Sequence, residues 1–380
     1  MEATKKKRAL VGAAGAAGIA LAATVGWCVA HRKVPVPPVV GQAGTSLGAA
    51  LAELIDAAPS WRVPARCMER DAEVPAPGAL TVGARAYTLG TNGDYAGGDA
   101  ARQRVVIGVV ADARGGEGAT LAGARAAAAS FAEAHVDVVL SLGGQGTTRA
   151  QLEPMLAALT DGGAWLVVAL PGDREAIAAH RETVAALAAK GAKIVDGSAL
   201  GIVVVDGVAI GLAPGAPTAE GGHAASLVAG ADGCARTSMD LEALATRLAA
   251  EPGPHVLAAH RAPRQRGLDA TDVALGGVHV GEVALADLAA HVGAVAFVHA
   301  DLDETGGRVV RAGAGATSTP VSQMMWSDRL VVATGPLEAL PHPTWARADR
   351  DSGAVVVEID HMRARVRVVR ATARNPGTLQ

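Results

Sequence analysis

The chain has 380 residues, of which 50% are hydrophobic and only 2% aromatic, and its formal net charge is −3. This length and hydrophobic content predict one large α/β domain, or one domain with a smaller appendage. The near-neutral charge and the scattered basic residues give no electrostatic case for nucleic-acid binding, and the low aromatic content excludes a stacking platform.

An uncharged apolar stretch runs from residue 9 to residue 30, directly after three lysines and an arginine at 5–8. Its length matches the roughly 20 residues that cross a bilayer, and the positive flank predicts that the N-terminus stays in the cytoplasm. We interpret residues 1–33 as a basic flank with an uncleaved, single-pass membrane anchor, which places the remaining chain outside the cytoplasm. The alternatives are the cleaved signal of a secreted protein and a lipoprotein signal with Cys28 as the acylated residue.

Residues 34–102 are rich in Pro and Gly and are interpreted as a linker with a small N-terminal extension. Within it we predict an amphipathic helix at 45–57 and one strand at 80–89. Residues 103–372 form the main domain, and 373–380 a tail. Of the three cysteines, Cys28 lies in the N-terminal segment, and Cys67 and Cys234 lie in the part predicted to be outside the cytoplasm. A disulfide between Cys67 and Cys234 is possible in an oxidising compartment.

From residue 104 onwards, predicted strands and helices alternate. Strands are predicted at 105–111, 136–142, 165–170, 193–195, 201–205, 208–213, 255–259 and 294–298, with helices at 120–134, 147–159, 174–189, 241–250 and 283–290. The last strands, at 308–312, 330–333, 354–359 and 364–370, follow without helices. This order predicts an α/β fold in which two mixed sheets pack face to face with helices outside, a four-layer α/β/β/α sandwich.

Five of these strands end in polar or glycine-rich turns, and in open α/β sheets the ligand chemistry lies at such ends. In chain order the turns are Asp112-Ala113-Arg114, Gly143-Gly144-Gln145, Gly172-Asp173-Arg174-Glu175, Ala259-His260-Arg261 and His299-Ala300-Asp301. The series resembles the calcineurin-like metallophosphoesterases, which carry Asp-x-His, Gly-Asp, Gly-Asn-His-Asp/Glu, a lone His and Gly-His-x-His at successive strand ends. The resemblance covers residues 104–370 and implies the fold of that family.

The resemblance also implies that a metal site, or the remnant of one, lies at these turns. In the family, two metal ions share a bridging carboxylate, are held by further His and Asp ligands, and activate a water for attack on phosphorus. Five residues of this chain stand at ligand positions: Asp112, Asp173, His260, His299 and Asp301. Asp173 stands where the family has Asn, and Asp301 stands where it has a second His.

Three further positions depart from the family pattern in ways that remove the chemistry. Arg114 replaces a His ligand, Gly144 replaces the bridging Asp, and Arg174 replaces the His that protonates the leaving group. Without the bridging carboxylate nothing holds two cations together, and guanidinium does not titrate near neutrality. We therefore expect a decayed two-metal site without a resident cofactor, in which Arg114 and Arg174 pair with the carboxylates in place of metal ions.

These observations predict a membrane-anchored, periplasmic protein with a phosphoesterase fold that is inactive or nearly so and binds an envelope protein or an anionic ligand. The alternative is a residual hydrolase of phosphomonoesters or phosphodiesters that uses one divalent metal (Mn, Zn or Fe) at Asp173, His260 and His299. The turn at 143–148 either presents its backbone N–H groups to an anion or simply starts a helix. A solute-binding domain is a weaker alternative, because the C-terminal end is purely β. No substrate or oligomeric state is predicted.

Overall fold

A computed structural model of the chain describes residues 65–68, 78–115, 118–173, 175–217, 233–274, 277–300, 302, 305–312, 317–337 and 353–370. The predicted anchor at 1–33, the predicted helix at 45–57 and the tail lie outside these residues, as do Cys28, Arg174 and Asp301. None of the described helices is long and apolar enough to cross a membrane.

The described residues include five helices and two large mixed sheets. The helices are α1 (Gly118–Glu133), α2 (Arg149–Thr160), α3 (Ile177–Ala189), α4 (Ser238–Ala250) and α5 (Val283–His291). The first strands are β1 (Ala65–Arg66), β2 (Ala79–Val82), β3 (Arg85–Leu89), β4 (Tyr95–Gly97), β5 (Arg104–Val110), β6 (Val138–Ser141), β7 (Leu166–Ala169), β8 (Ile194–Asp196), β9 (Ile202–Val205), β10 (Val208–Ala213) and β11 (Ala216–Pro217). The others are β12 (Cys234–Arg236), β13 (His255–Ala259), β14 (Val273–Ala274), β15 (Val278–His279), β16 (Ala296–His299), β17 (Val309–Arg311), β18 (Thr319–Pro320), β19 (Leu330–Ala333), β20 (Gly353–Asp360) and β21 (Arg363–Arg370).

The six-stranded sheet has the order β21-β20-β5-β6-β7-β8. Its strands β5 to β8 are parallel, and β20 and β21 add an antiparallel edge. Residues of β5 face both sides of this sheet: Ile107 and Val109 join a core shared with the second sheet, whereas Val110 packs among α1, α2 and α3. Burial on both faces explains why β5 reads as a continuous apolar run rather than as an alternating one.

The ten-stranded sheet has the order β18-β17-β19-β16-β13-β10-β9-β4-β3-β2. One face contributes Ile210 and Val256 to the core between the sheets, and the other contributes Leu257 and Phe297 to a cluster with α4 and α5. The layers therefore run from three helices through the smaller sheet and the larger sheet to two helices. The prediction of a mixed α/β fold with helices outside two mixed sheets is confirmed.

The segment predicted as one strand at 80–89 is a hairpin of β2 and β3. The turn between them contains Gly83, whose φ of +58° lies in the left-handed region that glycine adopts without steric cost. Both strands, together with β4, extend the larger sheet beyond β9. The prediction of a single strand was wrong because the alternation of apolar residues continues through this short turn.

A network of ion pairs ties this N-terminal hairpin to the main domain. Arg85 of β3 contacts Asp206 at 2.8 Å and Asp137 at 2.5 Å, and Arg102 contacts Asp206 at 2.9 Å. The backbone N–H of Asp99 also donates to Asp206. Burial alone would raise the pKa of Asp206, but these hydrogen bonds and the positive charge of Arg85 hold it below its ordinary value.

Cys67 and Cys234 form a disulfide, as the sequence allowed. It joins the end of β1 to β12, and these two strands with β11 form a small three-stranded sheet. The two half-cystines are fully buried and pack with Ile177, the first residue of α3. The disulfide therefore fixes the start of the described chain beside the helix that follows the third strand-end turn.

Candidate functional site

The predicted site residues that the structure describes follow parallel strands at their carboxyl ends. Asp112, Gly144 and Asp173 follow β5, β6 and β7 of the smaller sheet, and His260 and His299 lie at the ends of β13 and β16 of the larger sheet. The two sets meet, because the imidazole Nδ1 of His260 lies 2.9 Å from the carbonyl oxygen of Leu142 in the other sheet. Asp112, Asp173, His260 and His299 are each less than 9% exposed, and Gly144 is half-buried.

The Asp112 carboxylate occupies the space beside Gly144 in which a side chain would lie. A Cβ placed on Gly144 would be 2.0 Å from Oδ1 of Asp112 and 2.9 Å from its Cα. The turns are held in this arrangement by the backbone, since the N–H of Asp112 donates to Gly143 and that of Arg114 donates to Gly144. A side chain at the position at which the family carries its bridging carboxylate would therefore have to displace Asp112.

We expect Gly144→Ala to lower the free energy of unfolding by about 3 kcal/mol. Gly144 has φ +73°, so an L-residue there has a backbone cost of roughly 1–2 kcal/mol, and displacement of the buried Asp112 adds about 1–3 kcal/mol. Urea unfolding followed by circular dichroism measures the change. Gly293→Ala is the matched control, because Gly293 has φ +62° with nothing within 4 Å of its Cβ position. Equal losses in both variants would show that the contact with Asp112 has no energetic consequence.

Glu175 connects the second and third turns from a fully buried position. Its two carboxylate oxygens accept hydrogen bonds from the backbone N–H of Gln145 at 2.9 Å and of Gly172 at 2.5 Å. Burial raises the pKa of Glu175, and the charge of His180 and the two backbone hydrogen bonds oppose that rise. The sequence motif includes this residue, but its part in joining two turns could not be read from spacing alone.

The turn at 143–148 uses its N–H groups internally. Glu175 takes the N–H of Gln145, and the side-chain oxygen of Gln151 accepts from Thr147 at 2.9 Å and from Thr148 at 3.3 Å. A side chain that reaches back to the first N–H groups of its own helix is an ordinary way to start a helix. The turn therefore starts α2, and the alternative of an anion site built from its amides is wrong for these three groups.

Asp173 is held by two side chains that follow β13. Its Oδ1 lies 3.3 Å from Nε2 of His260, and its Oδ2 accepts a hydrogen bond from Arg261 at 3.0 Å. The other ring nitrogen of His260 faces the carbonyl oxygen of Leu142, which can only accept, so Nδ1 is the donor of that hydrogen bond. A guanidinium and an imidazole therefore both contact the Asp173 carboxylate.

One arginine that pairs with a site carboxylate is Arg261, which the sequence did not single out. Arg261 contacts Asp173, whereas Arg114 is exposed and Arg174 lies outside the described residues. Pairing of Arg114 or Arg174 with Asp112 stays a prediction. The signal for Arg261 was its position directly after the lone histidine of the motif.

His299 is fully buried and both of its ring nitrogens are engaged. Nδ1 lies 3.0 Å from the carbonyl oxygen of Ala300, and Nε2 lies 2.7 Å from the hydroxyl of Thr271. The hydroxyl of Thr271 donates to Nε2 and accepts from the amide of Gln265. Burial lowers the pKa of His299 to about 4, so the ring is neutral at pH 7.

A buried pair that the sequence did not indicate joins α3 to the end of β8. Nε2 of His180 in α3 lies 3.3 Å from Oδ1 of Asp196 at the end of β8. Burial alone would lower the pKa of His180, but the contact with Asp196 and its charge raise it. Burial alone would raise the pKa of Asp196, and the same contact holds it below its ordinary value. These opposite shifts favour the charged pair, which no spacing in the sequence could reveal because the residues lie on separate elements.

The described residues do not fit the two-metal group of the family. No set of three His, Cys, Asp or Glu side chains within the part of the chain that the structure describes is arranged to hold a metal ion. A side chain at Gly144 would collide with Asp112, and the Nε2 lone pair of His299 is taken by Thr271. Asp173 and His260 converge, and a single carboxylate with a single imidazole is fewer than the ligands of known Zn²⁺ sites.

No protein-family model and no curated protein matches the chain. Among solved structures, TT1561 of Thermus thermophilus is 13% identical with a TM-score of 0.46, covering 70% of this chain and 99% of that one. The purple acid phosphatase PPD1 of yellow lupin (Lupinus luteus) is 10% identical with a TM-score of 0.45, covering 76% and 57%. A dimetal phosphatase from Danio rerio is 12% identical with a TM-score of 0.42, covering 70% and 99%.

Two of these similar structures are phosphatases.

Proposed function

We propose that this chain is a membrane-anchored, extracytoplasmic protein with a phosphoesterase fold and a decayed two-metal site, which acts by binding rather than by catalysis. The observation that supports the proposal most directly is the contact between Asp112 and Gly144. A Cβ at residue 144 would lie 2.0 Å from Oδ1 of Asp112, so the position carries no bridging carboxylate and could accept one only if Asp112 moved. The engagement of His299 with Thr271 removes a second ligand.

The proposed location is supported by the disulfide and by the N-terminal sequence. Disulfides persist in oxidising compartments and are rare in the cytosol, and Cys67 and Cys234 are bonded. The basic residues at 5–8 and the apolar stretch at 9–30 favour an anchor with the domain on the outer side of the membrane. The binding partner we propose is an envelope protein or an anionic ligand.

Metal analysis of the purified chain tests the proposal. The chain is equilibrated with Mn²⁺, Zn²⁺ or Fe²⁺, and free metal is then removed. We expect inductively coupled plasma mass spectrometry to find well below one bound ion per chain. We also expect the chain with added Mn²⁺ to hydrolyse p-nitrophenyl phosphate and bis(p-nitrophenyl) phosphate no faster than buffer without protein. Two ions per chain, or a turnover that disappears in His299→Ala, would overturn the proposal.

A residual one-metal phosphoesterase is the second candidate, and one observation favours it. Asp173 and His260 are buried, and their Oδ1 and Nε2 atoms are 3.3 Å apart, close enough to bind the same ion. A third ligand from His299 would require the imidazole to leave Thr271. One ion per chain, lost in both Asp173→Asn and His260→Ala, together with metal-dependent turnover, would establish this function instead.

A further inference from the structure

His180, the fourth residue of α3, lies between two buried carboxylates from different parts of the fold. Its Nε2 atom is 3.3 Å from Oδ1 of Asp196 at the end of β8, and its charge also acts on Glu175 in the turn before α3. His180 and Glu175 are each 1% exposed and Asp196 is 5% exposed, so solvent does little to screen these charges. A change in the charge of the ring therefore has a large effect on both carboxylates.

The contacts of the His180 imidazole determine which of its nitrogens titrates. The ring hydrogen-bonds the backbone carbonyl of Ala169 at the end of β7. A carbonyl oxygen only accepts, so the nitrogen that faces it is protonated in both charge states of the ring. The nitrogen that gains or loses a proton is therefore Nε2, which faces Asp196.

Asp196 keeps other partners whether or not His180 is charged. The backbone N–H of Ser198 donates to Oδ1 of Asp196 at 2.8 Å, and Nε of Arg181 lies 3.7 Å from Oδ2. A guanidinium stays charged across the pH range in which proteins are folded. Within the part of the chain that the structure describes, the charged groups around His180 are Arg181 of α3, Asp196 of β8 and Glu175 of the preceding turn.

Glu175 is the carboxylate that depends more on His180. The positive charges that act on it are those of His180 and His260, and a histidine, unlike an arginine, loses its charge near neutral pH. The oxygens of Glu175 accept from the backbone N–H groups of Gln145 and Gly172, which belong to the second and third strand-end turns. A buried carboxylate that loses a compensating cation is destabilised, so loss of charge on His180 weakens the link between the two turns.

We propose that His180 is a pH-sensitive latch on the candidate site. The charged ring holds the second and third turns together through Glu175, and the neutral ring releases them. His180 is a positioning residue, because it acts on the turns only through Glu175. The latch does not depend on what the site binds, and it therefore goes beyond the proposed function.

The pKa of His180 determines the direction in which the latch responds to pH. Burial alone would lower this pKa, but the contact with Asp196 and its charge raise it above the ordinary value of about 6.5. The stabilisation from the charged ring is therefore complete below about pH 6.5 and is lost as the pH rises through the higher pKa of the folded state. Because opening releases a proton in that range, the open population should grow up to about tenfold per pH unit.

Hydrogen exchange of the full chain from about pH 5.5 to about 8.5, corrected for the intrinsic pH dependence of exchange, tests the latch. We expect the amides of Gln145 and Gly172 to be equally protected up to about pH 6.5 and to lose up to about tenfold in protection per unit above it. His180→Gln keeps a hydrogen-bonding side chain without the charge, so both amides should exchange faster at low pH and respond no further to pH. His361→Gln is the matched control, because His361 also contacts an aspartate but is exposed between β20 and β21, and it should keep the native profile.

Each other outcome overturns the latch. A native pH profile in His180→Gln assigns the response to another group such as His260, and flat protection in the native chain removes the response itself. If His180→Gln unfolds by circular dichroism, nuclear magnetic resonance of the native chain decides, because the Cε1–H signal of His180 should titrate with a midpoint above about 6.5. A ring that stays neutral, or that titrates while the two amides do not respond, overturns the latch. None of these measurements involves a metal or a ligand, so failure of the latch leaves the proposed function untouched.

Discussion

Replacing Cys67 and Cys234 together by serine is expected to lower the free energy of unfolding by about 4 kcal/mol. The two cysteines are 167 residues apart, so the bond closes a long loop and removes many conformations from the unfolded chain. Both half-cystines are also fully buried against Ile177. Urea unfolding of the variant and of the native chain, with matched buffers and protein concentrations, measures the difference.

The control for this experiment is the native chain with a reductant. Reduction should lower its midpoint to that of the double-serine variant, while the variant itself should not respond. Loss of the disulfide is also expected to destabilise the third strand-end turn locally. Gly215 packs on the disulfide, and its N–H donates to the carbonyl of Pro171 in that turn. Faster amide exchange at Gly215 and Ala216 would report that connection. A variant as stable as the native chain would show that the unfolded chain is already constrained without the bond.

Replacing Asp206 by alanine is expected to lower the free energy of unfolding by about 3 kcal/mol. Removing one member of a buried ion pair costs about 3–5 kcal/mol because the partner charge is left without compensation, and the Asp206 side chain is only 3% exposed. We place the loss at the lower end because Arg85 keeps Asp137 at 2.5 Å and Arg102 is half exposed. Urea unfolding at pH 7 measures the change. Asp328→Ala, which breaks an exposed pair with Arg311, is the control and should cost less than about 1 kcal/mol.

The stability that Asp206 contributes is also expected to depend on pH. The pKa of Asp206 is lower in the folded chain than its ordinary value, so the folded state favours the charged carboxylate. Asp206 therefore makes its full contribution to the free energy of unfolding above the pKa that its carboxyl has in the unfolded chain, near 4. That contribution is lost as the pH falls through the lower pKa of Asp206 in the folded state. The stability difference between the native chain and Asp206→Asn should be constant from pH 7 to about 5 and should shrink below 4. A difference that grows on acidification would contradict the assignment.

The fold could be predicted from the sequence where apolar runs are long and bounded by turns. Strands β10 and β13 agree with their predicted bounds, and α1 agrees within two residues. The N-terminal hairpin was merged into one strand because Gly83 lies inside a regular alternation. That β2, β3 and β4 extend the larger sheet could not be predicted, since their neighbour β9 lies more than a hundred residues away in the chain.

The site could be predicted in its location but only partly in its contacts. The ends of β5, β6, β7, β13 and β16 do come together, because parallel strands of two packed sheets end at one edge. Arg261 pairs with Asp173, and this contact depends on side-chain directions that spacing does not determine. His299 was predicted as a ligand, whereas its ring is engaged by Thr271 from a loop without a motif.

The contact between Asp112 and Gly144 also has a consequence for redesign of this chain. The single substitution Gly144→Asp would place a second carboxylate in space that Oδ1 of Asp112 already occupies, 2.0 Å from the new Cβ. A bridging carboxylate could therefore not be introduced at residue 144 while Asp112 keeps its present position. A designed two-metal centre would require both positions to be changed together, which makes Asp112 and Gly144 one unit of design rather than two independent sites.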